Sequence, residues 1–199
     1  MEIQVIIEDD GFWKAIKSIR NILQPLAVAS NILQAPTTHM YHVLLTLGNL
    51  YQIFKTATGI PAEIAQGAIK SLERRWKDNA DQELFILSII LNPYIHNRCF
   101  NSTANRNLTP AGLYKMAECA CSRILKEDVG PGFFTAFMDY LHKHNNYSAQ
   151  WMSLDSWKEE AAKMGKEPDI IRIWESIMPA NSAGCECLFS KLGLVHMKK

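Results

Sequence analysis

The chain has 199 residues, 48% of them hydrophobic, and its 21 Lys and Arg face 20 Asp and Glu for a formal net charge of +1. An apolar share at the globular average of roughly 45–50% excludes a disordered tail, a collagen-like rod and an acidic activation segment. So small a net charge excludes an unaided nucleic-acid clamp, which shows an overall basic excess.

A chain of this length buries about 70% of its unfolded surface, so its core needs neither disulfides nor a metal. No apolar run approaches the roughly 20 residues of a membrane span; the longest, from Leu84 to Leu91, is bounded by Glu83 and Asn92-Pro93. The opening MEIQVIIEDD carries no basic n-region and no small-residue cleavage site, so it does not read as a secretory signal. Five Cys is an odd number at no disulfide-framework spacing, which points to reduced thiols in the cytosol or nucleus.

In chain order, residues 1 to 7 alternate at Ile3, Val5 and Ile7 and suit a short strand or a helical tail. Asp9, Asp10 and Gly11 then cap a helix whose Phe12, Ile16, Ile19 and Leu23 form one apolar stripe. Pro25 interrupts it, giving a kinked helix or two short ones. Pro36 ends that segment, and Thr37 or Thr38 caps the next, with Met40, Val43, Leu44, Leu47, Leu50, Tyr51 and Phe54 in register. An amphipathic helix follows from about Pro61 to Lys77, with Ile64, Ala68, Leu72 and Trp76 spaced by four. Asp81 caps a helix to Leu91 that is apolar nearly all round and therefore central to a core. The polar stretch from Asn97 to Asn107 reads as a loop. Thr109-Pro110 opens a helix to about Glu127, Gly130-Pro131-Gly132 is a turn, and Phe133, Phe134, Phe137, Met138 and Leu141 form another stripe. Ser153 or Asp155 caps a helix carrying Trp157, Ala161 and Met164; Ile170, Ile173, Trp174 and Ile177 mark the next, and a last helix runs from after Pro179 to Gly193. The expected fold class is mainly α.

Chemistry-bearing motifs are few. Cys119/Cys121 and Cys185/Cys187 are C-x-C pairs that His96 and His196 could complete as a ligand set, but both pairs fall in helices, where residues two apart point about 200° from each other and cannot share an ion; they read as buried small hydrophobes. His39 and His42 share a helix face as a polar pair, whereas His142 and His144 point apart. There is no phosphate loop, no G-x-S-x-G, no dinucleotide fingerprint and no H-E-x-x-H. Arg74, Arg75 and Lys77 flank Trp76, and Lys191, His196, Lys198 and Lys199 gather near the end; the first group is either a phosphate-and-base contact or a solvated face with Trp76 turned inward. Core anchoring is the default for Trp13, Trp76, Trp151, Trp157 and Trp174.

The C-terminal run Pro179-Ala-Asn-Ser-Ala-Gly-Cys-Glu-Cys-Leu-Phe-Ser-Lys-Leu-Gly193 carries the most information. Ser182 suits an N-cap, Cys185, Leu188, Phe189 and Leu192 make a narrow apolar stripe, and Glu186 lies off it beside Ser182, Ser190 and Gly193. By itself that is a surface glutamate near a helix's positive end. The run resembles the C-terminal signature of hAT-superfamily transposases, small residues followed by Glu-Arg-x-Phe-Ser and Gly. Phe12-Trp13 leading to Ile22-Leu23-Gln24-Pro25-Leu26 is similar to the family's helix ending in Leu-x-Pro, and Leu91-Asn92-Pro93 to its Leu-(Asp/Asn)-Pro motif. LTPAGLYKMA, GFFTAFMDYLHK and WKEEAAKMGKEPDIIRIWE look like fungal members.

The resemblance implies a ribonuclease-H-like catalytic domain interrupted by a helical insertion, with residues 1–177 in the insertion and 178–199 in a truncated catalytic and dimerisation segment. It places Glu186 as the third metal-binding acid and Cys185, Leu188, Phe189 and Leu192 in a dimerisation segment, in nuclear proteins. The family's two aspartates lie upstream of where this sequence begins, and Asp9 and Asp10 belong to the start of the insertion. Cys187 stands where the family has Arg, a helix between Trp174 and the small-residue run is missing, and no BED-type zinc finger is present. The expectation is a catalytically incompetent relative that binds itself or a related transposase chain, with no cofactor of its own; magnesium or manganese belongs to a complete member. No small-molecule substrate and no membrane are expected. Two alternatives stand beside it: the C-terminal part of an active transposase, and a DNA-binding helper using Arg74, Arg75, Lys198 and Lys199.

Overall fold

The computed structural model describes residues 8–101, 103–104, 108–126 and 128–177. Among these the regular elements are all helical, and there is no strand. The expected strand or tail over residues 1 to 7 and the expected last helix lie outside the described residues, as does the segment beyond Ile177. The chain divides into two compact units, Met1–Ala80 and Asp81–Lys199.

The first unit contains α1 (Asp10–Gln34), α2 (Met40–Thr56) and α3 (Ala62–Asn79). Asp9 caps α1, its carboxylate accepting from the Gly11 N–H at 2.8 Å. The helix runs unbroken through Pro25, so the two-helix alternative does not hold. Pro25 cannot donate back to Asn21, so one rung of the ladder is lost. At the other end, buried Thr38 donates its hydroxyl to the Ile32 carbonyl, satisfying one of the acceptors that every helix terminus leaves open. Thr38 thus closes α1 and does not open α2. The residue that caps α2 is His39, whose backbone N–H donates to Nδ1 of His42 at 2.9 Å. The two histidines do sit together, their rings stacked with centroids 5.7 Å apart, but as a cap: His39 precedes the first turn and His42 reaches back to it, as Glu does in a capping box. The core here is small: Ala29 of α1 meets Leu50 and Phe54 of α2, with Ile60, Ala68, Ile69 and Leu72 packed against them.

The second unit contains α4 (Gln82–Ile90), α5 (Pro110–Leu125), α6 (Phe133–His142), α7 (Leu154–Lys163) and α8 (Ile170–Ile177), with 3-10 turns at His96–Cys99 and Asn145–Tyr147. The first of these turns replaces part of the expected loop. As its all-round apolar sequence requires, α4 is central: Leu87, Ile89 and Ile90 are essentially inaccessible. Asp81 caps it, accepting from Leu84 N–H at 3.3 Å, and also pairs with Arg123 at the end of α5 at 2.6 Å.

The C-terminal end of α4 stops inside protein at Asn92-Pro93, where open carbonyls would be costly. Tyr140 of α6 donates to the Ile90 carbonyl at 2.7 Å, and the Trp174 indole of α8 donates to the Leu91 carbonyl at 3.0 Å. Their rings meet edge to face, with centroids 4.8 Å apart. Tyr94 adds a third tie, its hydroxyl donating to the Leu154 carbonyl at 2.8 Å. Burial holds the Tyr140 phenol well above its ordinary range, so it stays a donor. α5 opens as expected, with Thr109 accepting from Gly112 N–H at 3.1 Å and Pro110 at its first position. It closes at Lys126 in the left-handed conformation.

Candidate interaction surfaces

Of the residues singled out from the sequence, Arg74 and Arg75 lie within the described chain. Both are exposed on α3, with Lys70 and Lys77 exposed nearby and Trp76 half-buried. Neither arginine makes an ion pair among the described residues. Glu63, Glu73 and Asp78 share the helix, so four cations face three carboxylates along it. That arrangement is a solvated helix face with a modest basic excess. Glu186, Cys185, Leu188, Phe189, Leu192, Lys198 and Lys199 lie outside the described residues.

α1 carries a feature that periodicity foretold only in part. The stripe exists, but it faces outward: Phe12 is 39% exposed, Ile16 41%, Ile19 56%, Leu23 55% and Leu26 41%. Trp13 beside it is 50% exposed, so core anchoring fails there, as it does at Trp151, which is 66% exposed. Steps of four, three, four and three keep the five residues on one face. The face that packs inward carries Ile22, Pro25 and Ala29, about a third of a turn away. Further along, Val28 and Ile32 line a cleft of about 380 Å³ between α1 and α2, walled also by Asn21, Asn49 and Ile53.

The second unit has an open cleft of about 490 Å³ lined by Trp151, Met152, Trp157, Glu160 and Ile177. Beside its core lies His96, 7% exposed and held at φ 52°. Its Nδ1 lies 3.2 Å from Asn97 Oδ1 and donates to it, leaving Nε2 buried as an acceptor with no hydrogen-bond partner among the described residues. Burial, then the nearby Lys143 and Arg98 charges, push the imidazole below its ordinary range against the opposing Asn97 bond. The sequence offers His96 only as a candidate ligand beside the C-x-C pairs; no signal marks its burial, which depends on the turn after Asn92-Pro93.

The other titratable candidates resolve simply. Cys121 is buried, but Cys119 is exposed, so only one of that pair is the buried small hydrophobe expected. Their opposite environments follow from the two-residue step. Cys99 is exposed, and partial desolvation of its thiol moves its pKa up rather than down. His142 and His144, expected to point apart, stack with centroids 5.7 Å apart. Lys143, left-handed at φ 57°, ends α6 between them, so helical geometry does not govern the pair. Among the described residues no three His, Cys, Asp or Glu side chains gather where they could hold a metal ion, and no helix is long and apolar enough to cross a membrane. No protein-family model, curated protein or solved structure matches the chain.

Proposed function

We propose that this chain is a hAT-transposase-like protein without strand-cleaving chemistry, acting by association with itself or with a full-length transposase. The observation that supports this is the run from Pro179 to Gly193, which sets Glu186 in the family's acid position after a chain of helices. Two-metal phosphoryl transfer needs several carboxylates around a pair of divalent ions, and this sequence offers Glu186 alone at a motif position. Asp9 is already engaged as the cap of α1. Under this reading residues 178–199 are a remnant of the ribonuclease-H-like domain, the site of action is nuclear, and the apolar residues Cys185, Leu188, Phe189 and Leu192 supply the contact.

The test is direct. Purified chain with supercoiled plasmid and magnesium or manganese is expected to leave the DNA intact, and light scattering is expected to show a dimer that Phe189→Glu dissociates. Nicking abolished by Glu186→Gln would overturn the loss of catalysis, and a monomer at all concentrations, with no capture of a full-length hAT transposase, would overturn the association. The exposed, unpaired Arg74 and Arg75 favour a second reading, DNA binding through α3. It predicts a duplex-DNA shift that weakens steeply with salt and is lost in Arg74→Ala/Arg75→Ala.

A further inference from the structure

We infer that the cleft between α1 and α2 is a binding site for a small, uncharged molecule with an aliphatic body and a carboxamide head. The cleft lies wholly within the first unit, and the inference does not depend on the family reading. On α2 the lining residues Thr46, Asn49, Leu50 and Ile53 follow the i, i+3, i+4, i+7 spacing of a single face. On α1, Asn21, Val28 and Ile32 recur at steps of seven and four, on the side away from the outer stripe of Phe12 to Leu26. These are positions where packed helices ordinarily set apolar side chains against each other. Here they leave about 380 Å³, within the range of small-ligand sites, and place polar groups among the apolar ones.

Two unmet needs show what fits. Val28 and Ile32 are 51% and 44% exposed, so the apolar wall is wet. Thr46 is only 8% exposed, yet its hydroxyl makes no hydrogen bond among the described residues, and neither do the carboxamides of Asn21 and Asn49. A helical threonine commonly donates to a carbonyl one turn back, as Thr56 does to Gln52 at 2.8 Å. Pro25, also on the lining, withholds the N–H that the Asn21 carbonyl would accept. Water meets the polar groups but leaves the wall wet; a molecule with both parts meets both needs.

Charge and shape narrow the class. No lining residue is charged, so an ion entering the cleft loses hydration with no counter-charge in return. The carboxamides of Asn21, Gln24 and Asn49 each offer a donor and an acceptor side by side. A carboxamide head answers both, whereas a carboxylate only accepts and an ammonium only donates. No aromatic ring lines the cleft, so a stacked base finds no platform there.

NMR titrations of the full isotope-labelled chain with hexanamide, hexanoate and hexylammonium test this. Hexanamide is expected to shift the side-chain amide signals of Asn21 and Asn49 saturably, with a Kd on the order of millimolar, and the two ions to bind at least tenfold more weakly. Thr46→Val, which keeps the shape and removes the hydroxyl, should weaken hexanamide at least fivefold. Val28→Trp, at an exposed position, should fill the cleft and abolish the shifts, with circular dichroism unchanged in both variants. Equal binding of the three compounds, shifts that never saturate, or hexanamide binding unchanged in Thr46→Val or in Val28→Trp would each overturn the proposal.

Discussion

The two units solve the same problem differently. In Asp81–Lys199 the central helix α4 is apolar nearly all round and buries its C-terminal half, and the polar groups at its buried end receive donors from α6 and α8. In Met1–Ala80 the longest helix, α1, has one buried residue, Ala29, and turns its best apolar stripe to solvent. An apolar residue stabilises a fold only by leaving water, at about 25 cal/mol per Å². α4 has collected that term internally, whereas α1 leaves a large part of its apolar surface in water. A tryptophan's worth depends on what covers it: Trp174 is 3% exposed and hydrogen-bonded, Trp13 is half exposed.

Substitutions follow the same division. Trp174→Ala removes a buried ring and the donor to Leu91, at an expected cost of about 3–5 kcal/mol, whereas Trp13→Ala should stay within about 0.5 kcal/mol; urea denaturation followed by circular dichroism compares them. Tyr140→Phe keeps the ring but strands the Ile90 carbonyl, and should cost about 1–3 kcal/mol by the same measurement.

Acid should act next. His96 is held neutral in the folded chain, with its pKa below the ordinary 6.5, while the unfolded chain binds a proton near that value. Below pH 6.5 the unfolded state therefore takes up more protons, so stability falls as pH drops through that window and is unaffected by His96 above it. His96→Asn, which tolerates the left-handed backbone, should flatten this dependence in denaturation series at stepped pH. A small effect belongs to Arg123→Ala. Its pair with Asp81 is half exposed, so about 1 kcal/mol or less is expected, vanishing in high salt.

Much of the helical plan was legible in residues. Asp81, the run to Leu91 and Asn92-Pro93 gave α4 its start, its centrality and its end; Thr109-Pro110 opened α5 for the same local reasons. Periodicity located the stripe on α1 but carries no information on what that stripe faces, because the same spacing serves a core and a docking seam. The donors that complete α4 come from 50 and 83 residues away, and no local pattern announces them. The His142–His144 stack and the burial of His96 likewise turn on left-handed residues at helix ends, which sequence does not single out when they are not glycine. The cap of α3 was only half visible: the expected start at Pro61 is its N-cap position, and no side chain bonds there.

Amide hydrogen exchange on the intact chain measures the contrast between the units most directly. Amides of α4 are expected to exchange only through global opening, and those of α1 between Gly11 and Leu23 orders of magnitude faster. Equal, deep protection of α1 would contradict the contrast between a covered α4 and an α1 whose apolar face is open to solvent.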